Sequence, residues 1–298
     1  MADIQPIAGQ QIWQWRNAAI QAALAADVPP GEVDWLLKEV AGLDSLALRL
    51  QSFRDKSIQL TLPLEELEAL WQRRLHERLP VQYITGFTHW RQFKIIVSPA
   101  VLIPRPETES LIDLAVAASV ESKNNLQLGH WADLGTGSGA IAISLADAFK
   151  QATIHAVDFS QQALFIAAAN ARNCGFAERI HFYQGSWWEP LQSYKGQFSG
   201  MVSNPPYIPT NTVSTLQPEV VNHEPHLALD GGADGLNCIR HLIATSLDYL
   251  RPGGIWLIEM MAGQAPAVQE LLVQGGYCNI QIHADLAGIE RFAVAYRR

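Results

Sequence analysis

Cysteine is scarce in this chain of 298 residues: Cys174, Cys238 and Cys278 are odd in number, far apart, and without the close Cys/His pairs of a zinc site. A disulfide framework and a structural zinc are excluded, no metal is expected, and the thiols read as ordinary buried side chains. Positive charge is also in deficit. The 21 Lys and Arg stand against 29 Asp and Glu, a net charge of -8. That balance argues against affinity gained by wrapping a nucleic-acid backbone, so no stable nucleic-acid binding is expected. There is no positively charged leader followed by an apolar stretch near Met1, and no apolar run long enough to cross a bilayer. The expectation is a cytoplasmic protein with no membrane partner. Internal repeats and low-complexity tracts are absent too, which removes solenoids and tethered arrays. What is present is a 48% hydrophobic content, enough for a sizeable core in one large domain and a smaller one.

The smaller domain is read over residues 1–80, as short helices. Val33, Leu36, Leu37 and Val40 fall at the spacing of one helical face. Pro63 opens a second segment in which Glu65 and Glu66 come early and Arg73, Arg74 and Arg78 late, complementing the helix dipole. Leu64, Leu67, Trp71 and Leu75 form its apolar stripe, and Pro80 ends it. Over residues 81–107 the pattern changes to alternation at Phe93, Ile95 and Val97, which predicts a hairpin linking two domains. Residues 108–298 alternate short apolar strands with helical stretches, so a mostly parallel sheet with helices on both faces is expected: an α/β domain.

Within that domain Trp131-Ala132-Asp133-Leu134 runs as a strand into Gly135-Thr136-Gly137-Ser138-Gly139, after which helical character begins. Such a turn lets the backbone approach a ligand whose anionic end meets free amides at a helix N-terminus. Taken alone, it also serves simply to pack a helix on a strand. Asp158 ends the next strand at about the 20-residue separation of a ribose-binding acid. Together the two elements predict an adenosine-containing ligand, held by Gly135 to Gly139 and by the Asp158 carboxylate. An NAD-linked dehydrogenase uses the same pair, so another motif has to choose the reaction.

That motif is Asn204-Pro205-Pro206-Tyr207, placed by the strand Phe198 to Ser203 at the carboxyl edge of the sheet. Two prolines with fixed φ and no amide hydrogen make a stiff turn. A planar amide or aromatic amine nitrogen is a poor nucleophile toward a sulfonium methyl group, because its lone pair is delocalised. The expected remedy is positioning: the Asn204 side-chain oxygen and the Pro205 carbonyl each accept one N–H of the target, and Tyr207 packs on its flat face. Asn204, Pro205 and Tyr207 are the candidate catalytic residues, with Pro206 completing the substrate-binding turn. No ionised base is needed at the outset, since the nitrogen becomes strongly acidic once methylated.

With these residues in place the chain resembles the release-factor glutamine N5-methyltransferases, the PrmC or HemK family, over nearly its whole length. The segments that carry the resemblance are Pro80-Val81-Gln82-Tyr83-Ile84-Thr85-Gly86, Leu102-Ile103-Pro104-Arg105-Pro106-Glu107-Thr108-Glu109, the glycine turn, Asn204-Pro205-Pro206-Tyr207-Ile208, and Asp230-Gly231-Gly232-Ala233-Asp234-Gly235-Leu236. The resemblance implies a class I S-adenosylmethionine-dependent methyltransferase domain, Rossmann-like with a seven-stranded mixed sheet whose last strand is antiparallel. A small N-terminal helical domain for substrate recognition would precede it. It further implies S-adenosyl-L-methionine as donor, S-adenosyl-L-homocysteine as product, and as protein substrate the Gly-Gly-Gln loop of class 1 peptide-chain release factors. Trp187 would flank the adenine and Asn204 would face both ligands. Ser186 departs from the acidic residue common before this Trp in relatives, and Trp188 reads equally as a core aromatic. Arg105 is expected only to brace the hairpin with Glu107 or Glu109.

Three other readings use parts of the same pattern. An adenine-N6 nucleic-acid methyltransferase grips a flat N–H₂ group with the same tetrad, but the acidic charge opposes it. A ribosomal-protein glutamine methyltransferase shares the chemistry with a different N-terminal domain. A cofactor-sensing protein without turnover would need the site but not the tetrad's polarity.

Overall fold

The computed structural model describes residues 5–122 and 124–298. The chain divides into two compact units, one reaching Gly86 and the other running from Phe87 to Arg298. In the first, helices Gly9–Ala25, Gly31–Glu39, Ser45–Leu50 and Leu64–His76 surround a core in which Ile12, Val33, Leu36, Leu37, Phe53, Leu67 and Trp71 are buried. The stripe read from the sequence is this core face, with Leu64, Leu75 and Val40 packed at its margin. Arg74, from the last turn of its helix, is buried and pairs with Glu32 in the first turn of another.

The segment 81–107 is not hairpin throughout. Val81–Thr85 is a short helix, with Pro80 at its N-cap and Gly86 closing it at a φ of 77°. Proline before and glycine after is the ordinary asymmetry of a helix's two ends. The hairpin itself pairs Phe87–Trp90 with Phe93–Ile96. Within the second unit it is fastened to the helix Gln161–Asn173 by Asn170, whose side chain accepts from the Ile96 amide at 2.8 Å and donates to the Ile96 carbonyl at 3.0 Å.

The second unit is built on a seven-stranded sheet. Its strands are β1 (Leu128–Leu134), β2 (Gln151–Asp158), β3 (Ile180–Gln184), β4 (Phe198–Ser203), β5 (Leu250–Glu259), β6 (Cys278–Ala284) and β7 (Glu290–Tyr296). Their spatial order is β6-β7-β5-β4-β1-β2-β3; β1 to β5 are parallel, and β7 lies antiparallel between β5 and β6. The principal helices are α1 (Ser110–Glu121), α2 (Ala140–Ala148), α3 (Gln161–Asn173), α4 (Asn237–Ser246) and α5 (Ala265–Gln274). All six residues of β4 are buried, as expected of a parallel strand covered on both faces. Strand order reverses beside β1: the chain runs out to β2 and β3 on one side and to β4 and β5 on the other. A sheet of this kind opens a crevice at the carboxyl ends of the strands where the order reverses.

The three cysteines, read as buried thiols, are each only half-buried. Among the described residues no helix is long and apolar enough to cross a membrane.

Candidate active site

A cavity of about 430 Å³ lies at that crevice. Of the residues singled out in the sequence, it gathers Gly135, Thr136, Gly137, Ser138, Asp158, Trp187, Asn204 and Pro206. Gly139, Pro205 and Tyr207 do not line it.

The glycine turn joins β1 to α2. The amides of Gly135 and Thr136 both reach the Val157 carbonyl at 2.9 Å, clamping the turn to the end of β2. Gly139 has a φ of 83°, and a Cβ there would stand 3.1 Å from the backbone of Ala167 in α3, so this glycine brings helix and turn together and does not line the cavity. Asp158 accepts from the amides of Gly137 and Ser160, each at 2.8 Å, one on each carboxylate oxygen. A carboxylate has about four acceptor sites, so capacity remains beyond these amides. Burial raises the Asp158 pKa, and the amides of Ser160, Gly137 and Phe159 pull it only part of the way back. Beneath the turn, the fully buried Asp133 accepts from the Thr136 hydroxyl at 2.6 Å and the Ala142 amide at 3.0 Å. Burial nevertheless pushes its pKa up to about 7. Its Oδ1 has no hydrogen-bond partner among the described residues.

The two tryptophans separate. Trp188 is a core side chain, stacked on Tyr249 at 4.5 Å with its indole N–H donating to Ser246 at 3.0 Å. Trp187 lies against the glycine turn, its ring 3.6 Å from where a Gly135 Cβ would stand, and holds a φ of 50°. For a bulky residue that is an unfavourable backbone, of the sort retained where position matters more than local comfort.

Asn204 follows β4 directly. Its side-chain nitrogen donates to the Thr108 hydroxyl at 3.3 Å, Thr108 donates to Glu259 at 2.5 Å, and the Tyr207 hydroxyl donates to the other Glu259 oxygen at 2.9 Å. Burial raises the Glu259 pKa, and burial together with the neighbouring Glu259 charge raises that of Tyr207. The segment matching Asp230 to Leu236 buttresses the tetrad from behind. Ile208 donates to the Leu229 carbonyl at 3.0 Å, and Gly231 donates back to that of Ile208 at 2.8 Å. A Cβ on Gly235 would stand 2.2 Å from the Tyr207 carbonyl oxygen. Gln264 completes the brace by donating to the same carbonyl at 3.0 Å.

Arg105 does not pair with Glu107 or Glu109. It lines the cavity and donates at 2.6 Å to Glu224, which is buried, tying the wall segment of Pro225, Leu227 and Ala228 to the stretch that follows the hairpin. Glu109 instead accepts from the amide of Arg91 at the hairpin turn. Thr108, Glu259, Glu224 and Asp133 were missed as functional residues. Thr108 and Asp133 stand inside segments the sequence singled out and Glu224 stands close to one, whereas Glu259 carries no such signal.

Away from the cavity, β1 to β3 carry a cluster of titratable rings. His130 Nδ1 and His155 Nε2 are 2.8 Å apart, and His155 Nδ1 is 3.0 Å from the Tyr183 hydroxyl; His181 and Tyr194 complete the surroundings. Burial, followed by repulsion from His130 and His181, pushes the His155 pKa down from 6.5 to about 3. The unfolded chain therefore takes up a proton near pH 6.5 that the folded chain refuses, and stability falls as pH drops from 6.5 toward about 3. Urea midpoints measured between about pH 7.5 and about pH 5 should fall in wild type and fall less steeply in His155→Phe. Equal slopes would deny the buried ring this role.

Over residues 109–273 the chain matches the family model described as Methyltransferase small domain. It is 52% identical over 97% of its length to the release factor glutamine methyltransferase of Synechocystis sp., of which it covers 97%. The identity is 47% over 96% of the chain for that of Thermosynechococcus vestitus, covering 97% of it, and 45% over 95% for that of Gloeobacter violaceus, covering 96% of it. Among solved structures, the hMettl16 catalytic domain in complex with a MAT2A 3′UTR hairpin superposes with a TM-score of 0.53 at 15% identity. The match covers 78% of this chain and 80% of that one, and shows a shared fold alone.

Proposed function

We propose that this chain, which belongs to the release factor glutamine methyltransferase family, methylates the side-chain amide nitrogen, N5, of the glutamine in the Gly-Gly-Gln loop of class 1 peptide-chain release factors. It is an S-adenosylmethionine-dependent methyltransferase with a class I Rossmann-like fold. The observation that carries the reading of the substrate is the 52% identity across 97% of the chain, the N-terminal unit included. That unit is the part we assign to recognition of the release factor. A cytoplasmic location agrees with such a partner.

The residues around the cavity fit S-adenosylmethionine. The Gly135 to Ser138 backbone leaves open space at Gly137, where a Cβ would meet nothing within 4 Å. Asp158 keeps acceptor capacity for ribose hydroxyls, Trp187 provides a flat apolar face for adenine, and Asn204 lines the same cavity. When bound, the donor supplies an electrophilic methyl group on a sulfonium. The protein's task is to present the amide nitrogen to it. Asn204 Oδ1 and the Pro205 carbonyl accept the two N–H groups, orienting the nitrogen and favouring the positive charge that develops on it. Pro206 keeps the turn stiff. Tyr207 does not line the cavity; hydrogen-bonded to Glu259, it holds the far end of the tetrad in place.

Mass spectrometry of a purified release factor after incubation with enzyme and donor should find one added methyl, on the loop glutamine. Label on nucleic acid with none on the release factor would overturn the reading. Asp158→Ala should weaken donor binding by about 10- to 100-fold, the worth of a charge-assisted hydrogen bond. Calorimetric titration with S-adenosylhomocysteine measures it, and an unchanged Kd would remove Asp158 from the site.

A further inference from the structure

We infer that Glu259 is a positioning residue that sets the polarity of the Asn204 carboxamide, so that its oxygen and not its nitrogen faces the target amide. The inference rests on the proposed role of Asn204 and concerns what enforces it. A carboxamide is nearly symmetric in shape, and its two orientations occupy the same space. With the N–H₂ end toward the cavity, Asn204 would oppose the N–H groups of the incoming glutamine. Something must therefore choose the orientation.

The choice follows from the chain of donors. An ionised carboxylate only accepts hydrogen bonds, and both Glu259 oxygens are occupied, one by Thr108 at 2.5 Å and the other by Tyr207 at 2.9 Å. The single hydroxyl proton of Thr108 is thereby committed to Glu259. Only lone pairs of Thr108 remain for Asn204, and only the Asn204 nitrogen can meet them, at 3.3 Å. The carboxamide oxygen is left for the other side. Glu259 does not line the cavity and is 2% exposed, so it acts through Thr108. Through Tyr207 the same carboxylate also pins the opposite end of the tetrad.

Glu259→Gln separates this role from a merely structural one. The glutamine N–H₂ must face one of the two hydroxyls. Facing Tyr207, it would leave the tyrosine proton buried without an acceptor, which is costly. Facing Thr108, it turns the threonine proton toward Asn204, which rotates to accept it, and every group in the network is satisfied. The variant should therefore melt close to wild type and bind the donor with a Kd within about twofold, while kcat for release-factor methylation falls about 100-fold, as for loss of one preorganised acceptor. In an Asn204→Ala background Glu259→Gln should add less than about threefold, because the orientation it disturbs is gone. Thr108→Val should mimic Glu259→Gln, and Thr108→Ser should restore kcat to within about threefold.

A folded Thr108→Val enzyme with wild-type kcat overturns the inference whatever Glu259→Gln does. So does a Glu259→Gln effect that multiplies in full with Asn204→Ala. A wild-type enzyme that leaves the release factor unmethylated overturns the substrate reading instead, and the two failures are distinct.

Discussion

Asn204→Ala should lower kcat by about 100- to 1,000-fold while the Kd for the donor moves by less than about fivefold. The large term arises because the amide oxygen acts on charge that appears only as the methyl group is transferred. In the ground state the target N–H groups are satisfied nearly as well by water. The small term arises because donor binding is spread over the glycine turn, Asp158 and Trp187, with Asn204 only one lining residue among several. Single-turnover kinetics with labelled donor and purified release factor, alongside calorimetry with S-adenosylhomocysteine, measure the two separately. A parallel loss of both would make Asn204 a donor-binding residue. An unchanged kcat would remove the tetrad from the chemistry.

Gly235→Ala should be nearly as damaging from a position outside the cavity. Gly235 has a φ of 76°, and a Cβ there would lie 2.2 Å from the Tyr207 carbonyl oxygen. The left-handed backbone costs a non-glycine residue about 1–2 kcal/mol. Relieving the overlap adds about 1–3 kcal/mol. The atom that must move belongs to the backbone of the tetrad, braced already by Gln264, so no side chain can swing aside. The expected outcome is a lowered denaturation midpoint together with a fall in kcat of about tenfold or more, since a displaced Tyr207 disturbs the near-attack geometry. Circular dichroism melts and methyl-transfer assays on the same preparation test it. Full activity in a stable Gly235→Ala protein would mean that the turn behind the tetrad is compliant.

Much of this site was legible in the sequence because local chemistry writes it. Strand β4 occupies the residues read for it, a short stretch of small and apolar side chains that Asn204 and two prolines bring to a stop. Helix α3 begins at Gln161, where the Ser160 side chain caps it by accepting from the Ala163 amide. The glycine turn and Asp158 lie on one cavity, as their spacing implied. The short helix Val81–Thr85 was hidden by a neighbouring alternation, although proline before it and glycine after it were visible. Arg105 was assigned the wrong partner because sequence proximity favours Glu107 and Glu109. Its actual partner Glu224 is 119 positions away and becomes adjacent only when the wall of the cavity folds over. Thr108 and Glu259 are 151 positions apart and meet only because the turn leading into α1 packs where β5 ends. Hydrogen bonds between such groups leave no periodicity, and no reading of composition or spacing predicts them.

The antiparallel strand β7 also constrains the order in which the molecule can be assembled. Strand β6 hydrogen-bonds to β7 alone, and β7 separates it from β5. During synthesis β6 emerges before its neighbour exists, and the outer edge of β5 stands open at the same time. A nascent chain at that stage carries two unsatisfied templates for strand addition, a state prone to pairing with other chains. Glu259, at the end of β5, acquires its Phe292 neighbour only when β7 takes its place between β5 and β6. The reactive end of the sheet is thus completed only once β7, which follows both of its neighbours in the chain, has been made.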